Sequence, residues 1–215
     1  MVSLFCAGFC LPVWANDNSQ NANHKTRSSA EKIVLIVGDS LSAEYGLTRG
    51  TGWVQRMSDQ AAKEAIKVKI VNASISGDTT SGGLSRLPQL LKTHQPHVLI
   101  VELGGNDALR GLSMKMTQQN LSAMANEGKK SGTKVMVIAM QIPPNYGANY
   151  AQQMAQAYQR VSQETGAELN NQFLKGIADE ADSLKWFQAD RIHPNESAHP
   201  IMLANVWPEL RKLLK

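Results

Sequence analysis

The sequence predicts an α/β fold, a doubly wound sandwich around a mostly parallel five-stranded sheet, and three observations carry that prediction. Compact, β-branched apolar runs without period-two alternation recur at 33–37, 68–71, 98–101 and 135–140, the pattern of strands buried on both faces. Longer amphipathic stretches alternate with them over about 180 residues, as βαβ units require. Neither an internal repeat nor a second-domain linker interrupts residues 31–215, which read as one domain.

In chain order, residues 1–15 carry no charged side chain and end in Val13-Trp14-Ala15, which suits a signal peptide cleaved after Ala15. That run is too short to span a bilayer. Residues 16–30, rich in Asn and Ser, read as a flexible leader. Cys6 and Cys10 both lie in the signal segment. Its removal leaves a chain with neither disulfide nor thiol-zinc chemistry. After the first strand, helical patterns are expected over 53–65, over 84–91 despite Pro88, and over 117–130, 150–165 and 198–214, the last interrupted or kinked near Pro208. A weaker fifth strand is expected at 167–173.

The 215 residues are 42% hydrophobic and 19% charged, enough for one full core. A net charge of +4 is compatible with an anionic surface or substrate. Scattered Lys and Arg without an aromatic-interleaved patch argue against a nucleic-acid partner.

Three chemically useful segments follow the first three strands. Ser40 lies in Gly38-Asp39-Ser40-Leu41, Gly77 in the stretch from Asn72 to Asp78, and Asn106 in Gly104-Gly105-Asn106-Asp107. In an open parallel sheet all three then meet at the carboxyl ends of the strands, where ligands bind. Ser40 can be a nucleophile or a helix N-cap. His193 follows Asp190 by three residues, a spacing at which one turn presents both, so the carboxylate can orient the imidazole as base. The Ser40 N–H, the Gly77 N–H and the Asn106 amide can serve as oxyanion donors. Gly77 and the Gly104-Gly105 pair can equally be turn residues. Asp190, His193, Glu196 and His199 form a loose cluster, but Pro194 and Pro200 interrupt it and no zinc spacing is present. No metal and no cofactor is expected.

Block by block, these segments resemble the SGNH, or GDSL-type, hydrolases, and the longer stretches 71–79, 101–110 and 142–147 resemble the bacterial periplasmic acyl-CoA thioesterase and lysophospholipase group. The resemblance implies a three-layer α/β/α, flavodoxin-like fold. It implies a Ser40, His193 and Asp190 triad that hydrolyses small-molecule acyl esters and thioesters through an acyl-enzyme. Leu109, Ile142, Pro143 and Tyr146 would bind the acyl group, and residues 74–84 would form a mobile substrate loop. A periplasmic monomer in transient contact with lipid surfaces follows from the same likeness. Glu44, where this group more often has Gly or Ala, would face the site if Ser40 opened a helix and would disfavour anionic acyl carriers. A carbohydrate acetylesterase of the same family is the enzyme alternative, and an inactive binding protein on this scaffold is the other.

Overall fold

The computed structural model describes residues 1–2, 31–142 and 146–215. The chain divides between Ala30 and Glu31, and Glu31–Lys215 forms one unit. Apart from Met1 and Val2, the signal segment and leader expected over 1–30 lie outside the described residues, as does Pro143.

Five strands, β1 (Lys32–Gly38), β2 (Val68–Asn72), β3 (Val98–Glu102), β4 (Lys134–Ile138) and β5 (Glu168–Asn170), form one sheet in the order β2-β1-β3-β4-β5. Every pairing is parallel, with Val34 opposite Val98 and Lys32 opposite Val68. Every residue of β3 is buried, and so are the last five of β1, which explains their unbroken apolar runs. Helices α1 (Trp53–Lys63) and α6 (His199–Leu213) pack together on one face, and α2 (Thr80–His94), α4 (Met114–Lys130) and α5 (Ala148–Thr165) on the other. Strand order reverses between β1 and β3, the switch point at which sheets of this order open a crevice.

Four boundaries differ from expectation. Helix α2 begins at Thr80, because Thr79 caps it by accepting from the Gly82 N–H, so the glycines of 76–83 do not all belong to a loop. Residues Thr80 to Leu84 of the segment expected as a substrate loop are therefore its first turn. Strand β5 is three residues long, since the Asn170 side chain folds over to accept from the Gln172 N–H and donate to the Asn205 carbonyl. A short helix, α3 (Gly105–Leu109), replaces the turn expected after Gly104-Gly105. Gly104 enters it at φ +116°, where a Cβ would strike the Tyr158 hydroxyl. Finally, Ser40 opens no helix. Residues 40–46 form turns, with the Asp39 carbonyl accepting from Ser42 and Ala43.

Candidate active site

Each segment of interest follows the carboxyl end of a strand. The backbone after β1 turns sharply because the Asp39 carboxylate accepts from the Leu41 N–H at 3.1 Å, which leaves Ser40 at the tip. The Asp190 to His193 turn is shaped the same way. Asp190 Oδ1 accepts from the Ile192 and His193 N–H groups at 2.9 and 3.0 Å, and Arg191 takes φ +58° to allow it.

These turns produce a continuous hydrogen-bonded chain. Ser40 Oγ lies 2.9 Å from His193 Nε2, and His193 Nδ1 lies 2.7 Å from Asp190 Oδ2. Burial pushes the Asp190 carboxyl up, but the N–H groups of His193 and Ile192 and the imidazole outweigh it and hold it below the usual carboxylate range. The Tyr45 ring packs on the imidazole with centroids 4.3 Å apart. Gln188 ties the two turns together, donating from its amide to the Tyr45 carbonyl at 2.9 Å and from its N–H to the His193 carbonyl at 2.8 Å.

Asn106, on α3, donates to Asp39 Oδ2 at 3.0 Å, which fixes its amide beside Ser40. Among the described residues nothing accepts from the Ser40 N–H or the Gly77 N–H. Gly77 stands at φ +78° and its carbonyl accepts from Arg110 at 2.7 Å. The loop before it is tied to β1 by the Ile75 N–H, which donates to the Gly38 carbonyl.

Ser40, His193 and Asn106 open onto a cavity of about 510 Å³. Leu109 and Ile142 line it. Tyr146 does not. Its ring stacks on Tyr150 at 6.5 Å, outside the lining. Gly77 is likewise absent from the lining. The opposite wall was not foreseen. It comes from Leu174, Ala178, Leu184 and Phe187, in a segment of turns between β5 and α6 whose apolar residues follow neither helical nor strand period.

Glu44 also sits differently from the sequence reading. At φ +60° it turns away from the cavity, and its carboxylate accepts from the N–H groups of Gly50 and Gly52 at 2.8–3.1 Å. It closes the 44–52 loop. His199, grouped with Asp190 in the loose cluster, is buried and accepts from the Trp53 N–H at 3.0 Å, capping α1. Burial holds its pKa down to about 4, so it stays neutral.

Two buried acids lie beneath Ser40. Asp39 is 1% exposed and Glu102, the last residue of β3, 0%. Burial raises Asp39 to about 6, against the hydrogen bonds from Leu41, Glu102 and Asn106 and the field of His193. Burial and the Asp39 charge push Glu102 well above the usual range. Glu102 Oε2 accepts from Ser42 Oγ at 2.5 Å and from the Asp39 N–H at 3.2 Å. A Cβ on Gly38 would come within 2.6 Å of that oxygen, so glycine there makes room for Glu102. A lone acid ending an apolar strand was the available sequence signal for Glu102.

A hydroxyl, an imidazole and a carboxylate bonded in series at the switch point of such a sheet place the molecule among the serine ester hydrolases. Comparison with known proteins fixes the family. Residues 36–201 match the GDSL-like lipase/acylhydrolase family. The esterase TesA of Pseudomonas aeruginosa is 43% identical over 189 residues, 88% of this chain and 92% of that protein. Thioesterase 1/protease 1/lysophospholipase L1 of Escherichia coli is 37% identical over 188 residues, 87% of this chain and 88% of that protein. Among solved structures, the psychrotrophic esterase EstA from Pseudoalteromonas sp., inhibited by monoethylphosphonate, superimposes with a TM-score of 0.79 at 37% identity, covering 85% of this chain and 98% of that one. The chain belongs to the GDSL-like lipase/acylhydrolase family.

Proposed function

We propose that Ser40, His193 and Asp190 perform hydrolysis of acyl esters and thioesters through an acyl-enzyme. The observation that supports this most directly is the hydrogen-bonded series from Asp190 through His193 to Ser40 at the edge of an apolar cavity. Ser40 Oγ attacks the acyl carbonyl carbon and its proton passes to His193 Nε2, while Asp190 stabilises the imidazolium. The Ser40 and Gly77 N–H groups and the Asn106 amide receive the developing oxyanion. The carbon–sulfur or carbon–oxygen bond then breaks, and His193 returns the proton to the leaving thiol or alcohol. Water, deprotonated by His193, attacks the acyl-enzyme to release the carboxylic acid and restore Ser40.

The walls favour a medium or long acyl chain. Leu109, Met140, Ile142, Leu174, Leu184 and Phe187 offer hydrocarbon along the cavity, whose volume lies in the range of ordinary ligand sites, about 300–1,000 Å³. A sugar acetylesterase needs a short acyl site with polar sugar contacts, which these walls do not favour. The names of the relatives, esterase, arylesterase, thioesterase and lysophospholipase, suggest aryl esters, acyl-CoA and lysophospholipids as substrates. The proposal includes secretion to the periplasm by the signal segment 1–15, residues 16–30 as leader, 31–215 as the hydrolase domain, a monomeric state, and transient contact with lipid surfaces.

Hydrolysis of p-nitrophenyl esters of two to sixteen carbons by the mature protein, beside Ser40→Ala, is the test. The expected outcome is turnover that peaks above acetate and is lost in Ser40→Ala. A peak at acetate transfers the assignment to the acetylesterase, and undiminished turnover in Ser40→Ala removes Ser40 as nucleophile.

A further inference from the structure

The reaction just described leaves Glu102 without a task, although it is the most deeply buried acid near the site. Its side chain is wholly inaccessible, one carboxyl oxygen takes two hydrogen bonds, and the other, Oε1, receives none among the described residues. Asp39 adjoins it: the Asp39 N–H donates to Glu102 Oε2 at 3.2 Å, and the Asp39 charge acts on the Glu102 carboxyl. Among the described residues no Lys or Arg forms an ion pair with either. Two adjacent carboxylates cannot both keep their charge in a buried site without a cation, so the pair holds a proton.

The hydrogen bonds say which acid keeps it. Asp39 accepts from the Leu41 N–H and the Asn106 amide on separate oxygens, an arrangement that favours its anion. It also faces His193, which becomes positive during each turnover. Glu102 also takes two hydrogen bonds, from the Ser42 hydroxyl and the Asp39 N–H, but both fall on Oε2. Its other charged or polar neighbours are the Asp39 carboxylate and, from α5, the hydroxyl of Tyr158, which donates to the Leu103 carbonyl at 2.7 Å. Asp107 adds a further negative charge near Tyr158. The proton therefore rests on Glu102.

We propose that Glu102 is a positioning residue of the reaction: as a neutral carboxylic acid it holds the Asp39 carboxylate in the orientation that grips the Asn106 side-chain amide. Asn106 has no other side-chain anchor among the described residues, so the chain Glu102 to Asp39 to Asn106 sets where its remaining N–H points. The role rests on the Ser40-centred reading and concerns the transition state, because the oxyanion exists only there.

The test is a double-mutant cycle. Glu102→Leu fills the same space without polar atoms, and such replacements of buried ionisable groups are often tolerated. Glu102→Gln keeps a neutral donor and an acceptor of the same shape. With a p-nitrophenyl ester, Glu102→Leu is expected to lower kcat about 10- to 100-fold with KM little changed, less than deleting an oxyanion donor outright. Glu102→Gln should recover most of that loss. In an Asn106→Ala background the Leu substitution should cost almost nothing more. Full additivity of the two substitutions, or an equal loss in the Gln and Leu variants, overturns the proposal.

Infrared spectroscopy gives a second readout that does not need Glu102→Leu to fold. At pH 8 wild type should show the stretch of a protonated buried carboxylic acid, absent from Glu102→Gln. A spectrum without that band overturns the proposal. Loss of the Ser40-centred reading shows itself separately, as turnover retained in Ser40→Ala.

Discussion

The two rims of the sheet are made from the same five strands and six helices, yet they are different materials. Apart from Met1 and Val2, the large exposed apolar residues of the described chain are Tyr45, Ile75, Leu112, Met116, Tyr146, Leu184 and Ile192. All seven lie in segments that follow the carboxyl end of a strand. The amino rim has turns such as Gln95-Pro96-His97 and Ser131-Gly132-Thr133, with none of them. Positive φ angles show the same division. At the amino rim Ala65, Gln95, Gly132 and Gly166 each sit just beyond the end of a helix, the ordinary way to stop one. At the carboxyl rim Gly77, Gly104 and Arg191 instead shape turns around Ser40, Asn106 and His193. One rim returns the chain; the other exposes apolar surface and buries charge, both unfavourable for folding alone.

If that difference is functional, substitutions on the two rims should separate activity from stability. Outside the Ser40, His193 and Asp190 series, the largest effect is expected at Asn106. Removing its amide by Asn106→Ala should lower kcat roughly 100- to 1000-fold with little change in KM, the signature of a donor used in the transition state. Steady-state kinetics on an aryl ester measures this. A rise in KM at constant kcat would instead make Asn106 a substrate-binding residue.

The second effect is on stability and runs through the buried acids. Asp39 moves from 3.8 to about 6 on folding, and Glu102 moves in the same direction. The folded protein therefore binds more protons than the unfolded chain, so Asp39 makes stability fall as pH rises from about 4 through about 6, and Glu102 carries the fall to higher pH. Denaturant unfolding at several pH values should show wild type losing stability over that window more steeply than Glu102→Gln. Parallel curves would mean that the acids ionise alike in both states.

How much of this could be read from the sequence follows from the kind of signal each feature leaves. The runs at 33–37 and 98–101 announced β1 and β3 because strands buried on both faces have nothing but apolar residues to show. With the strands placed, the loops bearing Ser40, Gly77 and Asn106 fell on one rim by topology alone. Features set by tertiary contact were not legible. Helix α3 follows two glycines that read locally as a turn, and it forms because Gly104 fits under Tyr158. Tyr146 and Leu184 are both apolar loop residues, and no local pattern says that Leu184 lines the cavity and Tyr146 does not. Glu44 was assigned from helical spacing, and the helix is absent because Asp39 and Glu44 spend their side chains on closing turns. Glu102 was visible as a residue but not as a partner, since its proton depends on an Asp39 that is 63 positions away.

The smallest expected change in activity belongs to the amino rim and completes the comparison. Thr133 is buried and donates from its hydroxyl to the Pro96 carbonyl at 2.9 Å, tying the turn before β4 to the turn before β3. Thr133→Ala leaves that carbonyl without its donor and should cost about 1–2 kcal/mol of stability, read from a shift in the urea midpoint. Its kcat and KM should match wild type, because the bond lies at the end of β3 opposite Asn106 and positions nothing that meets substrate. If Thr133→Ala instead lowered kcat by a factor approaching that of Asn106→Ala, strain would be passing along β3 from one rim to the other. The carboxyl rim would then be a property of the whole sheet rather than of the turns that cap it.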